Sequence, residues 1–369
     1  MGDWLRNLGL SLAAVIVLLV VIEGLAGGVL FVRRLFDETD SQPSFAERTH
    51  TRYDAELGWV NLANHAVEGL YGPGAGLHTN AQGFRGDRDT APKPAPGVFR
   101  VVCSGDSFTL GFGVGDEQTW CHRLRLPGRD VETVNMGQGG YGIDQAWLWY
   151  ERDGADLGHQ LHIFAFVYPD ITRMTQLSFL RYGKPRVRYD STGLYVENVP
   201  VPRAGILSEW LRRHRDTFGS LQLFRLLGPL LGRPLPGPAA GRFPPYSEEE
   251  AAAVAIEIFA DVDRSNAKRS GVAVFVYLTS WLDLRDKPEQ TQRFRDNFAS
   301  ALARRSLRFI DLTDDFRALS PAVLETLFIK PGETPFRHAR GHYTAEGNAF
   351  VARALSRRLD GVLASNPEP

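Results

Sequence analysis

The sequence predicts an α/β fold in which a parallel sheet carries helices on both faces. Short apolar runs bounded by turn residues recur along the chain, and amphipathic stretches of helical length lie between them. The predicted strands are 98–104, 131–136, 161–167, 272–278 and 308–311. The predicted helices lie near 117–126, 143–153, 288–304 and 345–360. Strands that alternate with helices pair in parallel, so we expect the functional site at the carboxyl edge of this sheet.

The N-terminus is predicted to be a membrane anchor, residues 1–35. Residues 8–32 form an almost wholly apolar run, interrupted by Glu23, that is long enough to cross a bilayer as a helix. A cleaved signal peptide is the alternative, because small residues occupy positions 26–28. Basic residues flank the run on both sides, so its charge pattern does not orient it.

The segment after the anchor, residues 36–97, is predicted to be a lead-in arm. Its turn-rich pieces, residues 57–59 and 79–86, are expected to cover one edge of the sheet. The proline-rich stretch 91–97 ends the arm, because proline and glycine interrupt regular structure. The main domain is then expected over residues 98–365.

An insertion interrupts the main domain at about residues 175–245. Residues 186–189 and 194–196 alternate apolar and polar side chains around a turn, which indicates a hairpin. An apolar helical pair is expected after it, and a capping box at Ser247 and Glu250 begins the next helix. We expect the insertion to form a lid or wall over the site.

A candidate nucleophile stands at the end of the first main strand, in the turn Gly105-Asp106-Ser107. Such a turn holds a serine hydroxyl at the edge of a sheet, and glycine lets other backbone come close. A fixed hydroxyl with backbone N–H groups nearby is what nucleophilic catalysis needs. The sequence therefore predicts Ser107 as a nucleophile.

A candidate base, His342, lies in the loop before the last predicted helix, where Thr344 is the expected helix cap. A neutral imidazole can take a serine proton and return it to a leaving group. The helix that follows would fix the loop against the core through apolar residues such as Val351 and Leu355. From the residues alone, a histidine in such a loop is more often a surface residue, and this alternative stays open.

A glycine-rich turn over residues 137–142 follows the second main strand and permits two interpretations. Its glycines satisfy Gly-x-Gly-x-x-Gly, the fingerprint of dinucleotide binding. That fingerprint needs an acidic residue about 20 positions on, in the first strand unit of its domain. His162 stands near that spacing, Asp170 comes late, and the strand is the second one. The pattern therefore disfavours a nucleotide site.

Three motifs resemble conserved blocks of the SGNH, or GDSL, esterases and lipases, in a branch that is anchored to bacterial membranes. The segments are Gly105 to Val114, Asn135 to Gly140 and Gly341 to Gly347. The resemblance implies a flavodoxin-like three-layer sandwich. It also implies Ser107 as nucleophile, His342 as base, and the N–H groups of Ser107 and Gly140 as the oxyanion hole.

The chain departs from the pattern of this family at two positions. Pro169 stands where the family usually has an oxyanion-hole asparagine, and proline has neither a side-chain nor a backbone donor. Ala339 stands where an aspartate usually orients the base. Ser107 and His342 would then form a dyad unless another acid, Asp170 or Glu333, supports the imidazole.

Charge, motifs and cysteine content limit the partners, cofactors and cross-links that we expect. The formal net charge of −1 gives no reason to expect a nucleic-acid partner. No metal-ligand motif occurs, and we predict no metal site and no cofactor. Cys103 and Cys121 are compatible with a disulfide, but we predict two buried free thiols, because two cysteines do not make a disulfide framework.

The resemblance implies a serine-dependent ester hydrolase, which could act on O-acyl groups of cell-envelope glycans. The alternatives are an O-acyltransferase on the same scaffold and a non-catalytic envelope binding protein that kept the fold. The expected partners are an acylated small molecule or glycan and the membrane. The resemblance also places the body of the protein outside the cytoplasm.

Overall fold

The computed structural model describes residues 2–36, 50–179, 182–202 and 243–364. Contacts divide the chain into two compact units, of which the smaller contains helix α1 (Gly2–Phe36). Apolar side chains of this helix, such as Leu12 and Val17, are exposed. Its segment Arg6–Gly27 is long and apolar enough to cross a membrane, and a signal sequence meets the same criterion.

The larger unit begins with the lead-in arm, which forms two antiparallel hairpins. Its strands are β1 (Thr51–Asp54), β2 (Gly58–Asn61), β3 (His65–Val67) and β4 (Leu77–Thr79). Beyond them, Arg85 makes isolated antiparallel bridges to Thr79 and to Asn135 of the main domain. The arm therefore extends the main sheet by backbone pairing.

The strands after the arm are β5 (Val98–Gly105), β6 (Asp130–Gly137), β7 (Leu161–Phe166), β8 (Ser178–Phe179), β9 (Tyr182–Gly183), β10 (Arg186–Asp190), β11 (Gly193–Glu197), β12 (Val272–Tyr277) and β13 (Phe309–Asp311). Five of them form the main sheet in the order β13-β12-β7-β5-β6, with every neighbouring pair parallel. Counted along the chain this order is 2-1-3-4-5, that of flavodoxin-like folds. Ligands bind such sheets where the order reverses, here at the carboxyl ends of β5 and β7.

The helices after α1 are α2 (Ser107–Leu110), α3 (Trp120–Arg123), α4 (Ile143–Trp149), α5 (Tyr168–Met174), α6 (Glu248–Lys268), α7 (Pro288–Arg304), α8 (Thr313–Arg317), α9 (Pro321–Thr326) and α10 (Ala345–Ala364). The helix predicted near 117–126 is shorter than expected. Thr119 has extended backbone and caps α3, and Leu124 returns to extended backbone after it.

Two apolar cores lie on the two faces of the sheet, which confirms the predicted architecture. Strand β7 divides its side chains between them: Phe164 and Phe166 join the core that includes α4, α6 and α7, while Ile163 joins the core that includes α3, α8 and α10. This division follows from the alternation of side chains along a strand. A parallel sheet covered on both faces is the usual form of an α/β domain.

The insertion contains the predicted hairpin, since β10 pairs antiparallel with β11. Val187 of β10 is fully buried and Leu194 of β11 packs on the same core. The predicted helical pair lies outside the described residues. The capping box at Ser247 is present: its hydroxyl accepts from Glu250 N, and the Glu250 carboxylate accepts from Ser247 N.

The prediction of two free thiols is wrong, because Cys103 and Cys121 form a disulfide. Cys103 lies in β5 and Cys121 in α3, and both side chains are fully buried. The sequence contains each cysteine but not the packing of α3 against β5 that brings them together. The loop that the disulfide closes contains Ser107.

Candidate active site

Ser107 and His342 meet at the carboxyl edge of the sheet. The Nε2 atom of His342 lies 2.7 Å from the Ser107 hydroxyl, although 235 positions separate the residues in sequence. Ser107 is the first residue of α2, directly after β5, and Asp106 caps this helix by accepting from Phe108 N. The structure thus brings together the serine and the histidine that the sequence singled out.

The loop of His342 is fixed by hydrogen bonds of His342 itself and of the residues directly before and after it. Its carbonyl accepts from Ile329 N at 2.9 Å, and Gly341 N donates to Ile329 O. The hydroxyl of the following residue, Tyr343, donates to the carbonyl of Thr279, which follows β12. His342 is therefore held against the same sheet edge that carries Ser107.

Aromatic side chains enclose the imidazole. Phe108 stacks on it with ring centroids 4.5 Å apart, and Phe112 lies at 5.4 Å. Burial lowers the pKa of His342 to about 4, and the negative charge of Asp106 acts in the opposite direction. At neutral pH the ring is neutral, which is the form that can accept a proton from Ser107.

No acid supports the base within the part of the chain that the structure describes. Among the described residues no side chain bonds His342 Nδ1, and the nearby acceptors are the backbone carbonyls of Ala339 and Arg340, which act to raise the pKa of the ring. The Asp170 carboxylate instead accepts from Arg173 and from Val167 N, and that of Glu333 accepts from Lys330 N. Neither predicted supporting acid is bonded to the imidazole.

Ala339, at the position of the family's aspartate, is fully buried in an apolar cluster. The cluster consists of Tyr71, Leu77, Leu110, Phe112, Ile329, Phe336 and Ala339. A side chain at Gly113 would collide with Ile329 and Ala339, so this loop and the Ala339 turn are packed closely. Hydrocarbon therefore occupies the place where a carboxylate would be needed.

Arg173 joins the loops that follow three adjacent strands. Its Nη1 donates to the Asp106 carboxylate at 3.1 Å, to the carbonyl of Tyr141 at 3.0 Å, and to the Asp170 carboxylate. Burial, followed by the charge of Asp106, raises the pKa of Asp170 well above its ordinary value. One guanidinium thus holds two buried carboxylates beside the nucleophile.

Gly140 lies in the turn after β6 with φ +79°, a conformation that favours glycine. Among the hydrogen bonds of the described residues, none uses the backbone N–H of Gly140 or of Ser107. The oxyanion hole that the resemblance implied from these two donors therefore stays a prediction. Pro169 lies in the first turn of α5, where it contributes no donor.

Aromatic side chains pack against the glycine-rich turn on the sides where its glycines have no side chain. A side chain at Gly139 would collide with the ring of Phe112, and one at Gly140 with the ring of Phe179. The indole N–H of Trp59, in the arm, donates to the carbonyl of Gly139 at 3.0 Å. A dinucleotide-binding site needs open space for a pyrophosphate beside these glycines, and aromatic rings fill that space.

Sequence reasoning missed the residues that brace the site from outside its motifs. Arg173 was hidden because it pairs with acids on other loops, and Trp59 because the arm was expected only to cover an edge. Lys184 is a third example: it is fully buried and its ammonium donates to Asp144, in the helix after the glycine-rich turn, at 2.8 Å.

No protein-family model and no curated protein matches the chain. The chain is similar to the solved structure of a member of the lipolytic protein G-D-S-L family from Veillonella parvula DSM 2008, with 14% identity over 70% of this chain and 97% of that one, and a TM-score of 0.38. It is similar to the lipase/acylhydrolase from Enterococcus faecalis, with 10% identity over 72% and 97%, and a TM-score of 0.38.

A third similar structure is that of the acetyl xylan esterase AlAXEase, with 12% identity over 71% of this chain and 100% of that one, and a TM-score of 0.36. The fold class itself follows from the parallel sheet in the order 2-1-3-4-5. A serine–histidine pair at the switch point of that sheet is the chemical feature of this chain.

Proposed function

We propose that this chain is a serine-dependent ester hydrolase of the SGNH, or GDSL, type. The observation that carries the proposal is the 2.7 Å contact between His342 Nε2 and the Ser107 hydroxyl, at the carboxyl edge of a doubly wound sheet. A nucleophile within hydrogen-bond reach of a neutral base is the arrangement that acyl transfer requires.

The reaction follows from these atoms. Ser107 Oγ attacks the ester carbonyl while His342 Nε2 takes the hydroxyl proton, and the N–H groups of Ser107 and Gly140 receive the developing oxyanion. Collapse of the tetrahedral intermediate breaks the ester bond, and His342 returns the proton to the departing alcohol. Water then attacks the acyl-serine by the same steps, releasing the acid and restoring Ser107.

Acyl transfer to a sugar hydroxyl is the same chemistry with another acceptor in the second step. We propose hydrolysis first because it needs only water and the two side chains already in contact. Product analysis separates the two: incubation of an acyl ester with a glycan acceptor gives free acid for a hydrolase and acylated glycan for a transferase.

We propose that helix α1 anchors the protein and that the body lies outside the cytoplasm, with O-acyl groups of envelope glycans as substrates. The Cys103–Cys121 disulfide supports this location, because disulfides persist in oxidising compartments and are rare in the cytosol. The segment Arg6–Gly27 supports the anchor by its length and composition.

A non-catalytic binding protein is the second candidate. It is favoured by Pro169, which supplies no donor, and by the lack of a carboxylate bonded to the His342 ring in the described part of the chain. Such a protein would bind an acylated glycan at the same edge without cleaving it.

A fluorophosphonate probe on the purified full-length protein in detergent decides between the two candidates. The probe phosphonylates an activated serine with loss of fluoride, so the enzyme should label, and Ser107→Ala should abolish labelling. His342→Ala should remove most of it, without additivity in the double variant because the pair acts as a unit. A folded wild-type protein that stays unlabelled would support the binding protein.

A further inference from the structure

We propose that Arg85, in the lead-in arm, is a positioning residue that holds the loop of Ser107 in its reactive geometry. The proposal rests on the proposed esterase function. The guanidinium is buried and donates to three carbonyl oxygens of this loop: Leu110, Gly111 at 2.6 Å and Val114 at 2.5 Å.

The loop needs such support because α2, which begins with Ser107, has only four residues. A single turn of helix is unstable by itself, and the carbonyls at its C-terminus have no partner within the helix. Arg85 takes the last of these, Leu110 O, together with two carbonyls beyond it. The other end of α2 is held by its Asp106 cap.

The charge of Arg85 is balanced inside the same structure. Its Nε donates to the Asp116 carboxylate at 2.7 Å, and Asp116 begins the short turn that follows Val114. The second oxygen of Asp116 contacts the ring of His78, in strand β4 of the arm, at 2.6 Å. The arm therefore contacts the nucleophile loop at two places: Arg85 binds the end of α2, and Arg85 and His78 both bind Asp116.

Arg85 is itself fixed to the main sheet. Its backbone N–H donates to the carbonyl of Asn135, in β6, at 3.0 Å. The side-chain amide of the same Asn135 donates to the carbonyl of Thr109 in α2 at 2.8 Å. Strand β6, the arm and the nucleophile helix thus brace one another, and a shift of Arg85 displaces the turn that carries Ser107.

Arginine suits this position because one planar guanidinium binds several carbonyls at once. A guanidinium presents five donors in a fixed fork, whereas an ammonium is a compact point charge with three. Lysine could pair with Asp116 but could not reach the same set of carbonyls. Arg85→Lys therefore separates the geometric role from the charge.

The test compares Arg85→Met and Arg85→Lys with the control Arg100→Met, using kcat, KM and the rate of fluorophosphonate labelling per folded molecule. Arg100 lies near the start of β5 and is also a buried arginine. Its guanidinium donates to the Glu132 carboxylate and to the carbonyl of Ala91. It contacts none of the carbonyls of the nucleophile loop, so its replacement tests for loss of a buried arginine alone.

We expect both Arg85 variants to lose kcat and labelling rate by about 100-fold with KM unchanged, the scale of a 1 Å misplacement. Arg100→Met should lower the melting temperature and keep the wild-type labelling rate. Wild-type labelling in folded Arg85→Met, or in Arg85→Lys if the Met variant does not fold, overturns the proposal. Absence of labelling in the wild type overturns the esterase function itself.

Discussion

The imidazole of His342 is stacked on the ring of Phe108, the residue next to its partner Ser107, with centroids 4.5 Å apart. The segment that carries the nucleophile therefore also carries the surface against which the base rests. In a serine–histidine–aspartate triad a carboxylate orients the imidazole. In this chain the imidazole instead rests against Phe108 and Phe112, beside the backbone carbonyls of Ala339 and Arg340.

Weakening the contact between Phe108 and His342 should shift the pH profile of kcat/KM. Replacing Phe108 with Leu exposes the imidazole to water, which favours the charged form, so its pKa rises from about 4 toward the ordinary value of 6.5. Because the neutral ring is the active form, the acid limb of kcat/KM should move to higher pH. Phe298→Leu, in the core of the opposite face, is the control. An unshifted limb in Phe108→Leu would show that the ring is not buried by Phe108.

Introducing the aspartate that SGNH esterases usually carry at the position of Ala339 should not create a triad. Ala339→Asp places a carboxylate in the apolar cluster beside Gly113, where hydrocarbon side chains take the place of its hydration shell. We expect the free energy of unfolding to fall by about 1–3 kcal/mol, with kcat no higher than in the wild type. Thermal melting and steady-state kinetics measure both. A rise in kcat without loss of stability would mean that the site accommodates an acid.

Removing the disulfide should destabilise the protein by about 3 kcal/mol, the value for a closed loop of similar length. The separation of Cys103 and Cys121 is 18 positions, and both are buried, so reduction of the folded protein is a poor test. The double variant Cys103→Ala/Cys121→Ala, compared by urea unfolding, is the measurement. If stability is unchanged, the bond makes no contribution to holding β5 and α3 together.

Two histidines should make the protein lose stability in mild acid. Burial lowers the pKa of His162 well below 6.5 and that of His342 to about 4. Below about pH 6.5 the unfolded chain takes up these protons and the folded chain does not. The contribution of these two histidines to stability is therefore complete above that pH and falls as the pH drops, by up to about 1.4 kcal/mol per pH unit for each.

His342→Gln isolates one of these two contributions. Urea unfolding between pH 7.5 and pH 5 should give a shallower pH dependence for the variant than for the wild type, by about one proton. His162 remains in both proteins, where it contacts the Ser104 hydroxyl at 2.6 Å. Equal slopes in the two proteins would contradict a low pKa for His342.

The sequence predicted the sheet and the pairing of Ser107 with His342 because both depend on local patterns. Apolar strands such as 161–167 and the turn at Ser107 carry their own signals, and the structure places them as expected. Contacts between distant segments carry no such signal. Arg173 binds carboxylates on two loops, and Cys103 pairs across the fold with Cys121, so neither could be assigned before the packing was known.

The bridges of Arg85 to Asn135 and Thr79 set the smallest fragment that can carry this site. A protein trimmed to begin at Val98 would keep all five main strands. It would lose the donors that hold the Ser107 turn, together with the backbone bridge at Asn135 on the edge strand β6, and an open edge invites pairing with another chain. A soluble fragment with a competent nucleophile therefore has to begin ahead of Thr51, so that both hairpins of the arm are retained.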